Sequence, residues 1–177
     1  MAFSEQEKLE EFSNLCEFLN DIKIAAEIVP KGKFVQETTM LVSLPSSEEY
    51  EEDEEITVEQ MHLATCYLVD LDDTEERIAK YLFCIAQIPV DLSYMNVPEI
   101  LLMLNEFNTK SRIGYYFLTE TEDKQFKQVN YRVTIPSVEG EFFDEGVVAD
   151  VLFEMGTSYE IAKEALMMAN EKCKNRG

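Results

Sequence analysis

Residues 97–118 constrain the fold of this chain most, because they combine two apolar patterns with different periods. Residues 97–107 repeat large apolar side chains at the three- and four-residue spacing of a helix, and Leu102 and Met103 extend the apolar surface to the opposite side. Residues 113–118 are apolar or aromatic on both faces of a strand, apart from one glycine. We therefore predict a central helix followed directly by a strand, each covered on more than one side.

The remaining apolar patterns predict two further helices and five further strands. The first helix begins at a capping box formed by Ser4 and Glu7, and a long helix near the end of the chain repeats its apolar residues every three or four positions. In chain order, the predicted elements are a helix over 4–22, strands over 24–29, 34–44, 62–71 and 75–90, the central helix and strand, a returning strand over 128–135 that ends at Pro136, and a helix over about 144–174.

This order predicts a single α+β domain over residues 1–177, with a mainly antiparallel sheet and packed helices. The elements follow one another as helix, β-meander, helix, β-hairpin and long helix. The returning strand alternates between apolar and polar residues, so we expect it to lie near an edge of the sheet with one face covered. Because Gly156 could interrupt the long helix, residues 144–174 form either one helix or two, and we favour one. The apolar stripe of the long helix suits either packing within the chain or a dimer interface, and we favour packing within the chain.

The charge of the chain is strongly negative. Acidic residues outnumber basic ones by 36 to 15, and the formal net charge is −21. Such a surface repels nucleic-acid phosphates and anionic membranes, so we expect neither as a partner, whereas a basic partner is favoured. The acidic residues concentrate in an insertion at about 46–59, where seven of the eight residues 48–55 are acidic. Because like charges repel, we predict a mobile loop there.

The sequence also indicates a cellular compartment. The beginning of the chain is acidic and amphipathic, and it lacks the cationic and apolar blocks of a signal peptide. No run approaches the ~18 apolar residues that a membrane-spanning helix needs. The four cysteines are scattered along the chain, with no CxxC pair. We therefore expect a cytoplasmic protein with reduced thiols.

The chain offers few residues for catalysis. His62 is its one histidine, and the acidic turn around Asp72 lacks the glycine and the final glutamate of a calcium-binding loop. No nucleotide-binding, hydrolase-nucleophile or zinc-protease motif occurs in the sequence. We therefore expect no enzymatic activity, cofactor or metal, and an enzyme with a carboxylate-bound metal is the least favoured alternative. Asn108 is predicted to cap the central helix, and Asn105 to bond to the turn that follows.

The segment LLMLNEFN of the central helix, together with the aromatic strand after it, resembles the YbjN-like family, a bacterial group of sensory transduction regulators. The resemblance is strongest over residues 97–155, and the acidic insertion departs from the family pattern. The residues that carry it are Leu101, Leu102, Leu104, Asn105, Phe107, Asn108, Gly114, Tyr115, Phe117 and Tyr131. The resemblance implies a fold similar to class I type III secretion chaperones. It also implies a homodimer that binds another polypeptide and has no catalytic residues.

Two functions follow from these patterns. The first is a non-enzymatic protein-binding module that presents apolar grooves, flanked by acidic surface, to a basic or partly unfolded partner polypeptide. Its predicted interface residues are Leu102, Met103, Tyr116 and Leu118. The alternative is an acidic charge mimic or regulator that acts on a basic partner through residues 48–55. The central residues of that run are Glu51, Glu52, Asp53 and Glu54.

Overall fold

The computed structural model describes residues 3–32, 35–45, 62–69, 79–120 and 127–176. Within these ranges the chain forms three helices and six strands in the predicted order. The elements are α1 (Glu5–Asp21), β1 (Ala26–Val29), β2 (Thr39–Ser43), β3 (Leu63–Leu68), β4 (Ala79–Ile88), α2 (Val97–Lys110), β5 (Gly114–Glu120), β6 (Lys127–Val138) and α3 (Glu145–Lys174). The predicted α+β class is confirmed. The acidic insertion at 46–59 lies outside the described residues.

The six strands form one antiparallel sheet in the order β1-β2-β3-β4-β6-β5. The first four strands are the predicted meander, and β5 and β6 are the predicted hairpin, which joins the meander where β6 pairs with β4. β6 therefore lies one strand in from the edge. It continues past Pro136, which lies opposite Tyr81, so the prediction that Pro136 ends the strand is wrong. β2 is shorter than predicted, because residues 35–38 are not in a strand.

All three helices pack on the same face of the sheet. Glu11 of α1 pairs with Lys80, which points to the buried side of β4. Phe107 of α2 packs against Tyr116 of β5, with ring centroids 5.4 Å apart. The Tyr116 hydroxyl in turn donates to the carbonyl oxygen of Ser158 in α3 at 2.7 Å. The sheet therefore has a helix-covered inner face and an outer face on which no described helix packs.

The hydrophobic core lies between the inner face and the helices. Its largest fully buried side chains are Tyr131, Tyr159, Phe12, Leu15, Leu19, Met40, Leu68, Leu82, Ile100, Leu152, Met155 and Leu166. At roughly 1.5–3 kcal/mol for each large apolar side chain that leaves water, these residues provide the main favourable term in folding. The capping box predicted for α1 is confirmed, because the Ser4 hydroxyl accepts from the Glu7 N–H and the Glu7 carboxylate accepts from the Ser4 N–H.

The α2–β5 unit is less covered than the sequence predicts. Ile100 and Leu104 are buried, whereas Leu101 and Leu102 are exposed, so α2 is buried along one side only. β5 is an edge strand, and Tyr115 on its outer face is exposed. The apolar pattern predicts that this surface is covered, but the described residues leave Leu101 and Leu102 exposed. The surplus apolar surface is therefore available for contacts with another molecule.

Asn108 has a structural role, although not the predicted one. α2 continues past it to Lys110 and has its C-cap at Ser111. The Asn108 Oδ1 accepts from the Tyr116 N–H at 2.6 Å, and its Nδ2 donates to the Tyr116 carbonyl oxygen at 3.0 Å. Asn105 is exposed and makes no hydrogen bond with its side chain to the described residues. Asn108 thus occupies the middle of the β5 edge, where a strand of another chain would otherwise pair.

We expect Asn108→Ala to lower the free energy of unfolding by about 1–2 kcal/mol, because two hydrogen bonds to backbone groups are lost. Urea denaturation followed by circular dichroism measures the change. Asn105→Ala is the matched control on the same helix, and it should leave the midpoint almost unchanged. Equal midpoints for the two variants would contradict the role given to Asn108.

α3 is one continuous helix, as favoured from the sequence. Its apolar stripe packs inside the chain, since Leu152, Met155, Tyr159 and Leu166 are all buried, which confirms the favoured packing over a dimer interface. Gly156 lies against the backbone of Pro45, where an added Cβ would overlap the Pro45 carbonyl oxygen. In the described part of the chain, no helix is both long and apolar enough to cross a membrane.

Candidate peptide-binding groove

The turn between β6 and α3 places one phenylalanine inside the protein and the preceding one outside. Gly140 has a φ of +83°, a left-handed conformation that favours glycine. The Glu141 N–H donates to the Val138 carbonyl oxygen at 3.2 Å and closes the turn. Phe143 is buried, whereas Phe142 is 58% exposed. Phe142 therefore projects from a defined turn as an apolar side chain in contact with solvent.

An ion pair between Lys80 of β4 and Glu11 of α1 supports this turn from below. Both side chains are buried, and the Glu11 carboxylate also accepts from the Phe143 N–H at 3.5 Å. The Lys80 ammonium lies 4.8 Å from the ring centroid of Phe143 and 5.9 Å from that of Phe142. Burial lowers the pKa of Lys80, and nearby carboxylates act in the opposite direction. The pair therefore joins a strand, a helix and the turn at one point.

Two adjoining cavities, both open to solvent, share Phe142 in their linings, and together we call them the Phe142 groove. The first has a volume of about 170 Å³ and is lined by Phe3, Glu7, Glu10, Glu11, Lys80, Glu139, Gly140, Glu141 and Phe142. The second has a volume of about 430 Å³ and is lined by Gln6, Leu9, Glu10, Ser13, Asn14, Glu17 and Phe142. Glu10 and Phe142 belong to both cavities. The groove therefore follows the exposed side of α1.

The local sequence explains the charge of the groove. Residues 6, 10, 13 and 17 share one side of α1, because they are three or four positions apart, and two of the four are glutamates. The turn adds Glu139 and Glu141 from the opposite wall. The one described cation in the lining, Lys80, is buried and already paired with Glu11. The rim is therefore acidic around the apolar side chains of Phe142 and Leu9, a combination that suits a basic, amphipathic ligand.

The predicted interface residues lie elsewhere, on the α2–β5 unit. Leu102 is 72% exposed, while Met103 and Leu118 are half-buried against the core. Tyr116 is only 7% exposed, and burial raises the pKa of its phenol well above the usual range. Of these four residues, Leu102 alone presents most of its side chain to solvent. The remaining predicted residues, Glu51, Glu52, Asp53 and Glu54, lie outside the described residues.

Neither Phe142 nor Lys80 was singled out from the sequence, although each has a local signal. Residues 139–145 (EGEFFDE) place two phenylalanines among acidic residues directly after a strand, which is unusual for a solvated turn. Lys80 is the one basic residue of β4, whose other members are mostly apolar. The sequence could not show that Lys80 pairs with Glu11 next to this turn, because the two residues are 69 positions apart.

His62, Cys66 and Cys84 are buried inside the protein. The ring of His62 packs against Tyr159, with centroids 4.5 Å apart, and its Nδ1 lies 3.9 Å from the Glu160 carboxylate. Cys66 and Cys84 are buried opposite each other with sulfurs 3.1 Å apart, and this hydrogen bond together with burial raises the pKa of Cys66. Among the described residues, no group of three or more His, Cys, Asp or Glu is placed to hold a metal ion.

Among solved structures, the chain is similar to the crystal structure of YbjN from E. coli, which is described as a candidate transcription regulator. The similarity covers 91% of this chain and 92% of that chain, with 12% sequence identity and a TM-score of 0.47. No family model matches the chain, and no curated protein matches it. The fold assignment therefore stands on the strand order and helix packing described above.

Proposed function

We propose that this protein is a non-enzymatic binding module whose Phe142 groove holds a basic, amphipathic segment of a partner polypeptide. The observation that carries the proposal is an exposed phenylalanine at the junction of two cavities with carboxylates on their rims. Phe142 supplies an apolar contact that becomes buried on binding, and the glutamates supply partners for lysine or arginine. Aromatic residues at the centre of a polar rim are typical of binding hot spots.

A helix is the form of ligand that fits this site best. The groove runs along α1 and not along an unpaired strand, so it offers no ladder of backbone groups for an added strand. At the β5 edge, Asn108 already occupies the backbone groups of Tyr116. A helix with apolar residues on one side and basic residues beside them would meet both the apolar side chains of Phe142 and Leu9 and the acidic rim.

The two parts of the groove are expected to contribute differently. Covering Phe142 should account for about 2 kcal/mol of the binding free energy, the usual value for a large apolar side chain leaving water. The rim carboxylates should mainly accelerate association and select a basic ligand, and their effect should weaken as salt is raised. Shape and charge together would therefore distinguish a true ligand from any cation attracted to the chain.

The experiment uses a labelled amphipathic peptide of Leu and Lys at helical spacing, with a second peptide in which Glu replaces Lys. Fluorescence anisotropy should show binding of the Lys peptide, weakened by salt, and no binding of the Glu peptide. Phe142→Ser should weaken binding of the Lys peptide about tenfold or more, because the apolar contact is lost without any change in net charge. Because Phe142 is exposed, we expect Phe142→Ser to fold normally, so that weaker binding reflects the lost contact.

Two matched variants separate this proposal from its competitors. Leu102→Ser removes an exposed apolar side chain from α2 and should leave the affinity within about twofold. Deleting residues 48–55 removes seven carboxylates and should reduce the affinity only modestly, whereas a charge mimic acting through that run would lose binding altogether. If the wild type and Phe142→Ser bound the Lys peptide equally, the proposal would be overturned. This holds whatever the results for Leu102→Ser and for the deletion of residues 48–55.

A further inference from the structure

Cys66 of β3 and Cys84 of β4 lie directly opposite each other in the middle of the sheet, since these strands are the third and fourth of the six. Both side chains are fully buried, and the Cys66 thiol donates to the Cys84 sulfur at 3.1 Å. This distance is about 1 Å longer than the ~2.05 Å of a disulfide bond. The two sulfurs therefore need to move only a little to become covalently joined.

The backbone ladder of β3 and β4 also suits such a bond. The Val69 N–H donates to the Tyr81 carbonyl oxygen at 3.0 Å, so these two residues form a hydrogen-bonded pair that continues the strand register. Hydrogen-bonded and non-hydrogen-bonded pairs alternate along an antiparallel ladder. Cys66 and Cys84 lie three positions further along, so theirs is a non-hydrogen-bonded pair. The Cα atoms of such pairs are ~4.5 Å apart, within the range of about 4.4–6.8 Å found in disulfides.

The surroundings of the two thiols set how readily they react. In the row across the sheet they are flanked by Met40 and Val133, which are both buried. The hydrogen bond with Cys84, together with burial, raises the pKa of the Cys66 thiol, and Cys16 on α1 acts in the same direction. Because the thiolate is the reactive form, oxidation of this pair should be slow at neutral pH.

Packing alone does not require two cysteines at these positions. A buried free cysteine often serves as a small apolar residue, a role that other small residues also fill. The neighbouring inner-face pairs of β3 and β4 are purely apolar, namely Ala64 with Ala86 and Leu68 with Leu82. The cysteines therefore form the one inner-face pair in the described register of these strands whose side chains can be joined by a bond.

We propose that Cys66 and Cys84 are a redox-modification site, which closes to a reversible disulfide when the protein is exposed to a peroxide for a prolonged time. One sulfur attacks the O–O bond of hydrogen peroxide and becomes a sulfenic acid, with release of one water molecule. The opposite sulfur then attacks the sulfenic sulfur, forms the S–S bond and displaces the second oxygen as water. Two thiols thus lose two protons and two electrons, which reduce one hydrogen peroxide to two water molecules.

The position of the bond determines how it behaves once formed. A Cα separation near the short end of the disulfide range strains the bond and makes it easier to reduce, so reduced glutathione should reopen it. The bond would join the half of the sheet formed by β1, β2 and β3 to the half formed by β4, β6 and β5. It also closes a loop between residues 18 positions apart, which restricts the unfolded chain. Oxidation should therefore raise the urea midpoint of unfolding.

Peptide mapping of the full chain tests the proposal. The protein is incubated with hydrogen peroxide, the remaining thiols are blocked with iodoacetamide, and the product is digested with trypsin for mass spectrometry. Cleavage after lysine and arginine places each of the four cysteines in its own peptide, and in chain order these are 9–23, 34–77, 81–110 and 173–174. We expect a linked species of peptides 34–77 and 81–110 that is absent before oxidation and disappears again after treatment with reduced glutathione.

Two variants provide the controls, after circular dichroism has established that each is folded. The double variant Cys16→Ala, Cys173→Ser retains only the proposed pair and should lose both remaining free thiols on oxidation, with the same rise in urea midpoint as the wild type. Cys84→Ala should form no linked species and show no rise.

The proposal would be overturned if peptides 34–77 and 81–110 stayed unlinked even in urea just below the unfolding transition, or if Cys66 were linked to Cys16 instead. A bond that reduced glutathione does not reopen, or an oxidised wild type with an unchanged urea midpoint, would also contradict it. Phe142→Ser should form the same disulfide, so failure of the peptide-binding proposal is distinguishable from failure of this one.

Discussion

Replacing Lys80 with methionine is expected to lower the free energy of unfolding by about 3–5 kcal/mol, which is a large part of the stability of a typical domain. The substitution leaves the Glu11 carboxylate buried, with the Phe143 N–H as its remaining described donor. An uncompensated buried carboxylate is costly, because the chain cannot replace the hydration that the group loses on folding. Urea denaturation followed by circular dichroism measures the loss.

Two comparisons identify the ion pair as the cause. The double variant Lys80→Met, Glu11→Gln removes both charges but keeps an acceptor for the Phe143 N–H, so it should recover at least half of the loss. Lys110→Met breaks the exposed pair with Glu106, 2.7 Å long, and should leave the midpoint almost unchanged. If Lys80→Met proved as mild as Lys110→Met, the buried pair would not be what holds the turn against α1.

Gly156→Ala is expected to destabilise the protein by about 2–3 kcal/mol, although alanine favours a helix over glycine by about 1 kcal/mol. The added Cβ would overlap the Pro45 carbonyl oxygen and lie 3.2 Å from its carbonyl carbon. Both neighbours are backbone atoms, which cannot rotate away as a side chain can. α3 and the segment that follows β2 would therefore have to separate.

Thr157→Ala provides the control for the neighbouring position. Thr157 is exposed on the same helix, and its hydroxyl donates to the Phe153 carbonyl oxygen at 3.2 Å. Because the helix gains propensity there without a clash, the midpoint should stay the same or rise slightly. A stabilised Gly156→Ala variant would mean that Pro45 does not lie against α3 in solution.

The features that could be predicted from the sequence are those with local causes. The Ser4 capping box, the meander and hairpin, and the continuity of α3 each depend on residues close together in the chain. Side-chain periodicity also placed the inner face of β6 correctly, with Val129 and Tyr131 among its buried residues. Such patterns carry over to the structure because secondary structure sets which residues share a face.

The features that could not be predicted depend on which surfaces meet. The apolar pattern of α2 is compatible with either a covered or an exposed Leu102, so periodicity alone could not predict that this side chain is exposed. The position of Asn108 near the end of α2 predicts a helix cap, but its hydrogen-bond partner is Tyr116 on the next strand. The Phe142 groove combines α1, β4 and the turn before α3, and no local rule brings those three segments together.

The most direct measurement is a nuclear magnetic resonance titration of the isotopically labelled chain with the Leu–Lys peptide. Binding in the Phe142 groove predicts the largest chemical-shift changes at Leu9, Glu10 and Phe142, with a saturable response and the same residues affected at each salt concentration. Changes that are largest within residues 48–55, or that spread over the whole acidic surface without saturating, would contradict the proposed function.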